Sequence, residues 1–161
     1  MTTRQRKSQA GLRKLIRQLS RAADERRAQG RYDVAEPLYL RALSLAELYC
    51  GSEDVAAACN NLAVLYKYMG RFDEAERLYR RALALKEKLL GADHPDVAMR
   101  LNNLSVLLKK QGEYEEAGAM YERALAIFER ALGPEHPKIV SCRENYASLL
   151  RKMNRSETST L

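Results

Sequence analysis

Asn61, Asn103 and Asn145 recur at one constant interval. An asparagine amide carries both a donor and an acceptor, so such a ladder can pair with the peptide bonds of an extended chain without reading its side chains. Asn60, Val64 and Lys67 recur around the first rung, and Asn102, Val106 and Lys109 around the second. Glu144, Ser148 and Arg151 flank the third. Lys67, Lys109 and Arg151 add a positive field that favours an acidic or carboxylate-bearing ligand. The same amides can instead tie each helix to a backbone carbonyl of the neighbouring pair, so the spacing leaves a ligand-binding and a structural reading open.

Catalytic chemistry finds no comparable pattern. His94 and His136 precede proline at equivalent places, separated by the interval of the asparagines, which implies a structural task in a turn. Cys50, Cys59 and Cys142 are odd in number, far apart and without the C-x-x-C spacing of a metal or redox site. They are expected to be reduced core thiols. No Ser, Cys or Asp stands in a nucleophile setting, and no glycine-rich phosphate loop follows a strand. Glu115, Glu116 and Glu135 read as solvated turn acids. The expectation is no catalytic residue, no metal site and no cofactor.

The elements that position the ladder follow from glycine. Gly30, Gly70 and Gly112 form one series, and Gly51, Gly91 and Gly133 another, each half a period behind its counterpart. Two helix-length segments joined by glycine turns therefore repeat at the interval of the asparagines, shortened by two positions where Gly51–Asp54 replaces the longer Gly91–Asp96 turn. Glycine suits a helix that ends in a left-handed turn. Apolar residues recur at helical spacing, as in Leu78, Ala82, Leu85 and Leu89. Helices are predicted near 12–29, 33–50, 54–69, 73–90, 95–111, 115–132 and 137–153.

Asp33 with Glu36 and Asp73 with Glu76 have capping-box spacing, and Pro95 and Pro137 fit a first helical position. The third copy has Gly118 in place of the box glutamate, so its second helix should start less firmly. Ala35, Ala75 and Ala117, then Ala42, Ala82 and Ala124, mark close helix approaches. Tyr32, Phe72 and Tyr114 with Tyr39, Tyr79 and Tyr121 fill the complementary spaces.

The net charge of +7 belongs to one end: residues 1–31 hold ten cations against Asp24 and Glu25, and the rest of the chain balances 18 cations against 19 acids. Residues 1–23 also resemble a mitochondrial transit peptide in charge, with an apolar stripe of Leu12, Leu15, Ile16 and Leu19. The alternative is that 12–29 is simply the first helix of the first pair. Binding of nucleic acid by this end is disfavoured for want of interleaved aromatics, and binding of an anionic membrane stays open. No run approaches the ~18 apolar residues of a membrane span. The closing S-E-T-S-T-L fits a loose pattern for carboxylate capture by a PDZ domain through Ser159 and Leu161, or a frayed polar tail.

The pattern carried by Leu62, Ala63, Tyr66, Gly70, Phe72, Ala75, Tyr79, Ala82 and Leu83 resembles the tetratricopeptide repeat (TPR). The N-N-L-A/S-x-L-x-K blocks and L-G-x-x-H-P turns are similar to repeats of kinesin light chains. The resemblance implies an all-α, right-handed superhelical solenoid of antiparallel helix pairs. It implies repeats over 12–50, 54–90 and 95–132, a capping helix over 137–153, a flexible basic arm over 1–11 and a flexible tail over 154–161. The concave face would be lined by the first helix of each pair.

The implied function is a non-catalytic, cytoplasmic adaptor that holds a peptide of a protein partner, with Asn60, Asn61, Val64, Lys67, Asn102, Asn103, Val106, Lys109, Asn145 and Arg151 in its groove. Valine at positions 64 and 106 departs from the polar ligands of the family's carboxylate clamp, and no heptad segment for motor attachment is present. Self-assembly is the alternative class. The wet face of the last helix and like-charge repulsion between basic first helices lead to the expectation of a monomer.

Overall fold

In the computed structural model residues 3–158 are described, with their side chains over 8–154. All regular structure among them is α-helical: α1 (Thr3–Ala28), α2 (Tyr32–Tyr49), α3 (Ser52–Tyr68), α4 (Phe72–Leu90), α5 (Pro95–Gln111), α6 (Tyr114–Ala131) and α7 (Pro137–Thr158). Two compact units result, Met1–Leu89 and Leu90–Leu161. In the first, α2 packs between α1 and α3, and α1 also touches α3. Arg81 and Lys86 on α4 reach Glu47 on α2 and Glu53 on α3. In the second, α6 packs between α5 and α7, and α5 also touches α7.

One turn closes three helices. Gly30, Gly70 and Gly112 all take positive φ (72°, 75° and 93°). Beyond each, a backbone N–H reaches back across the glycine: Arg31 to Arg26 O (2.9 Å), Arg71 to Tyr66 O (2.9 Å) and Glu113 to Leu108 O (3.0 Å). This wrap satisfies carbonyls that a helix end leaves open. The second glycine series is less uniform than the spacing predicts. Gly91 is left-handed at 84°, but Gly51 is extended (φ −92°, ψ 174°) and serves as the N-cap of α3, and Gly133 has no positive φ.

The capping boxes predicted at Asp33 and Asp73 do not form. The residue that precedes α2 is Arg31, with no side-chain cap bond, and Ala35 and Ala75 donate to the carbonyls of Arg31 and Arg71. The wrap brings the chain back into helix two residues earlier than Asp33 would, leaving both aspartates in first turns where they face the positive helix end. Glu36 is free to make tertiary bonds instead, accepting from Tyr66 Oη (3.0 Å) and Arg71 Nη1 (2.7 Å). α6 starts in the same register after Glu113, so Gly118 does not shift its start.

The histidines are the caps. His94 Nδ1 accepts from the Asp96 N–H (3.1 Å) and His136 Nδ1 from the Lys138 N–H (3.2 Å), at the heads of α5 and α7. Losing such a cap costs about 1 kcal/mol. His94→Ala is expected to lower the unfolding free energy by that amount, read from a lower urea midpoint at unchanged slope, and His94→Asp to restore it; equal loss in both variants would remove the capping role.

Two boundaries correct the sequence reading. Residues 1–11, expected as a flexible arm, are helical from Thr3, because nothing before Gly11 breaks a helix and glycine inside one costs only about 1 kcal/mol. Residues 154–158, expected in a flexible tail, continue α7 to Thr158. The C-terminal pattern at Ser159 and Leu161 lies outside the described residues.

The alanine and tyrosine series form the core. Ala35, Ala42, Ala75, Ala82, Ala117 and Ala124 are fully buried, as are Tyr39, Tyr79 and Tyr121. Tyr32, Phe72 and Tyr114 are half-buried. Two further core positions break the pattern. Tyr39 Oη donates to Asp24 Oδ1 (2.5 Å) and accepts from Arg27 Nε (3.3 Å), whereas the Tyr121 hydroxyl has no hydrogen-bond partner among the described residues. Lys86 is only 2% exposed, at the position of Ala46 in α2 and Phe128 in α6, and its ammonium meets Glu53 Oε1 at 2.5 Å.

Candidate functional site

The predicted site residues lie on the first helix of each pair, α3, α5 and α7, and within each unit they gather on one face. In the first unit that face is the groove between α1 and α3, a cavity of about 220 Å³ with Asn61 in its wall. Its polar lining also includes Arg17, Ser20, Arg21 and Asp24 from α1 and Asp54 from α3. Asn60, Asn61, Val64 and Lys67 are all half-buried. The Asn60 amide nitrogen lies 3.5 Å from Asn61 Oδ1. Exposed Tyr68 sits beside them, with the Arg27 guanidinium 5.3 Å and the Lys67 ammonium 5.5 Å from its ring centroid.

The contribution of α1 was missed by the sequence reading, although the signal was present. Counting ten, nine, six and three residues back from Gly30, as from Gly70, gives Ser20, Arg21, Asp24 and Arg27. The first helix thus replaces the asparagine pair with serine and arginine, and valine with aspartate. Arg13 closes one end of the groove by pairing with Asp54 at 3.0 Å.

In the second unit α5 and α7 form the equivalent face. Asn102, Asn103, Val106, Lys109, Asn145 and Ser148 are half-buried there, and Glu144 and Arg151 are exposed. Asn145 Nδ2 donates to Asn102 Oδ1 at 3.3 Å. The structural alternative is therefore realised in altered form: the rung binds a side chain of the neighbouring first helix rather than a backbone carbonyl. That bond uses one of the two Asn145 donors and leaves its oxygen open. One rung can brace the face and still offer an edge to a ligand.

Electrostatics give this face a pole. Lys109 Nζ donates to Ser148 Oγ at 3.3 Å. Burial holds the Lys109 ammonium below the usual lysine range, and the like charges of Lys152, Lys110 and Arg151 push the same way. Lys109 thus stands among like charges from its own helix and from α7, a setting that favours an anionic ligand.

The cysteines separate by environment. Cys59 and Cys142 are buried, and burial pushes the Cys142 thiol up to about 11. Cys50, expected in the core, is half-exposed because it follows the last residue of α2, where it borders a cavity with Glu47, Ser52 and Arg81. Among the described residues no three His, Cys, Asp or Glu side chains are grouped to hold a metal ion.

Comparison with known proteins adds the following. A tetratricopeptide-repeat family model matches residues 55–96 and 97–138, and a second matches 18–49. Among solved structures, BtubC (BKLC) from P. vanneervenii is similar at 29% identity and a TM-score of 0.79, over 88% of this chain and 57% of that one. The chain therefore spans little more than half the length of that relative. A candidate kinesin light chain of Podosopora anserina with nearly identical TPR-like repeats aligns at 22% identity and a TM-score of 0.79, covering 89% of this chain and 69% of that one. The N-terminal domain of stress-induced protein-1 from C. elegans aligns at 17% identity and a TM-score of 0.61, covering 83% and 96%. No curated protein sequence matches the chain.

Proposed function

Because the chain belongs to the tetratricopeptide-repeat family, whose all-α solenoid of helix pairs mediates protein–protein interaction, we propose that it is a non-catalytic adaptor for an extended, acidic segment of a partner polypeptide. The segment lies on the faces formed by the first helices. Asn61, Asn103 and Asn145 pair with its peptide bonds, with Asn60 and Asn102 beside them and Val64 and Val106 in apolar contact. Lys67, Lys109 and Arg151 meet its acidic groups.

The observation that carries this reading is placement. Residues whose amides and ammonium groups recur at the repeat spacing are half-exposed on one face of each unit, instead of being spent in the core. The adaptor is assigned to the cytoplasm. Among the described residues no helix is long and apolar enough to cross a membrane.

The test is affinity capture from native lysate with quantitative mass spectrometry, comparing wild type with the Asn61→Ala, Asn103→Ala, Asn145→Ala variant. The partner is expected to bind the variant about tenfold more weakly or worse, with helicity unchanged by circular dichroism. Recovery of the same proteins at the same yield by both would place the function elsewhere on the molecule.

A further inference from the structure

Among the described residues of the second unit, α6 and α7 leave a groove open between them. Tyr114, Gly118 and Glu122 of α6 and Tyr146, Leu150 and Met153 of α7 enclose a cavity of about 320 Å³. The corresponding groove in the first unit, between α2 and α3, is occupied by the chain entering α4. There Arg71 stacks 4.0 Å from the Tyr66 ring centroid and bonds to Glu36. The fold's own occupant of such a groove thus brings a cation to the contact, from the turn that leads into a helix.

At the α6/α7 groove the acids stand ready. Glu122 accepts from Tyr146 Oη at 2.5 Å, and exposed Glu115 has no ion partner among the described residues. Leu150 is 43% exposed on the wall. The four glutamates of α6 outnumber its two arginines.

A complementary helix exists in the chain itself. α1 carries nine cations against two acids. Ile16 and Ala23 are buried, and Arg13 is engaged with Asp54 of α3. That leaves a face of Gly11, Leu15, Gln18 and Ala22, in which Leu15 is 42% exposed and exposed Lys14 lies alongside without an ion partner among the described residues. Gly11 and Ala22 on that face permit close approach on either side of Leu15.

We propose that α1 of a second copy of this chain docks in the α6/α7 groove, Leu15 against Leu150 and the cations of α1 against Glu115 and Glu122. Donor and acceptor are different surfaces, so the contact is head-to-tail, and copies joined by it close into a ring or grow as a chain according to the rotation between them. Repulsion between basic first helices does not oppose it, since each α1 meets the acids of α6 and not another α1. This association is separate from partner binding on the first-helix faces.

Sedimentation velocity of the full chain across micromolar concentrations, in dilute buffer and in ~0.5 M salt, tests the proposal. The average mass is expected to rise past that of a dimer with concentration and to fall in salt. Leu15→Asp disables the donor and Glu115→Lys the acceptor, each weakening association by about tenfold or more with helicity retained. Mixed, the two variants should stop at a one-to-one pair, because one intact donor and one intact acceptor remain. A wild type that stays monomeric throughout, growth that neither variant reduces, or a mixture that forms no pair would each overturn it.

Discussion

Phe128→Lys is expected to lower the unfolding free energy by about 3–5 kcal/mol, the range for a buried charge without its partner. The reasoning comes from the repeat. Lys86 occupies the same position on α4 and is tolerated at 2% exposure because Glu53, at the head of α3, meets its ammonium at 2.5 Å. One repeat later the residue in the place of Glu53 is Pro95, which has no carboxylate to offer. A lysine at 128 would also forfeit the packing of a side chain that is 2% exposed. Urea denaturation followed by circular dichroism reads the loss. The double variant Phe128→Lys, Pro95→Glu should recover part of it, and a single variant as stable as wild type would show that the α6 position is less enclosed than Lys86.

Tyr39→Phe and Tyr121→Phe should part company. Tyr39 donates to the carboxylate of Asp24, a charge-assisted bond whose loss costs about 1.5–2 kcal/mol at a partly exposed acceptor. Tyr121 is fully buried, and the residue in the place of Asp24 is Val106, so its hydroxyl is desolvated without a partner among the described residues. Removing that oxygen should cost nothing or stabilise by up to about 1 kcal/mol. Alkaline titration separates the tyrosines further. Burial and the neighbouring Asp24 push the Tyr39 hydroxyl up to about 12, and burial raises that of Tyr121 as well. Below the ordinary tyrosine value of about 10 the hydroxyl is protonated in folded and unfolded chains alike. Above it the unfolded chain ionises first, so stability falls as pH rises from about 10 towards 12. Tyr39→Phe should make that fall shallower, and an unchanged slope would show that Tyr39 ionises freely in the folded protein.

Much of this architecture was legible because the same demand is written three times. If Ala42 is fully buried, Ala82 and Ala124 must be so wherever the helices pair alike, and a glycine that wraps one helix end wraps the next. What the sequence reading lost were departures from the repeat. Asp33 and Glu36 looked like a local cap, but Glu36 is claimed by Tyr66 and Arg71 from elsewhere in the unit, which no short window shows. Lys86 sits where the period demands an apolar side chain, and only the position of Glu53 in space explains it. The arrangement of these faces was half legible: the asparagines do lie half-buried on the first helices, the bond between Asn145 and Asn102 took an unforeseen form, and the α1 side was overlooked because its residues differ in kind.

The wrap shared by Gly30, Gly70 and Gly112 bears on how such a chain can change length. A crossover between any two of these turns joins backbone to backbone of the same conformation, so the whole segment from one such glycine to the next can be lost or duplicated without a misfit at the seam. An indel of other size within a helix would instead rotate every later side chain by about 100° per residue and bury the wrong face. Recombination within the gene therefore has one tolerated unit, the whole repeat, and copy number becomes a heritable variable that adds or removes first-helix faces while leaving the helix pairing rules intact.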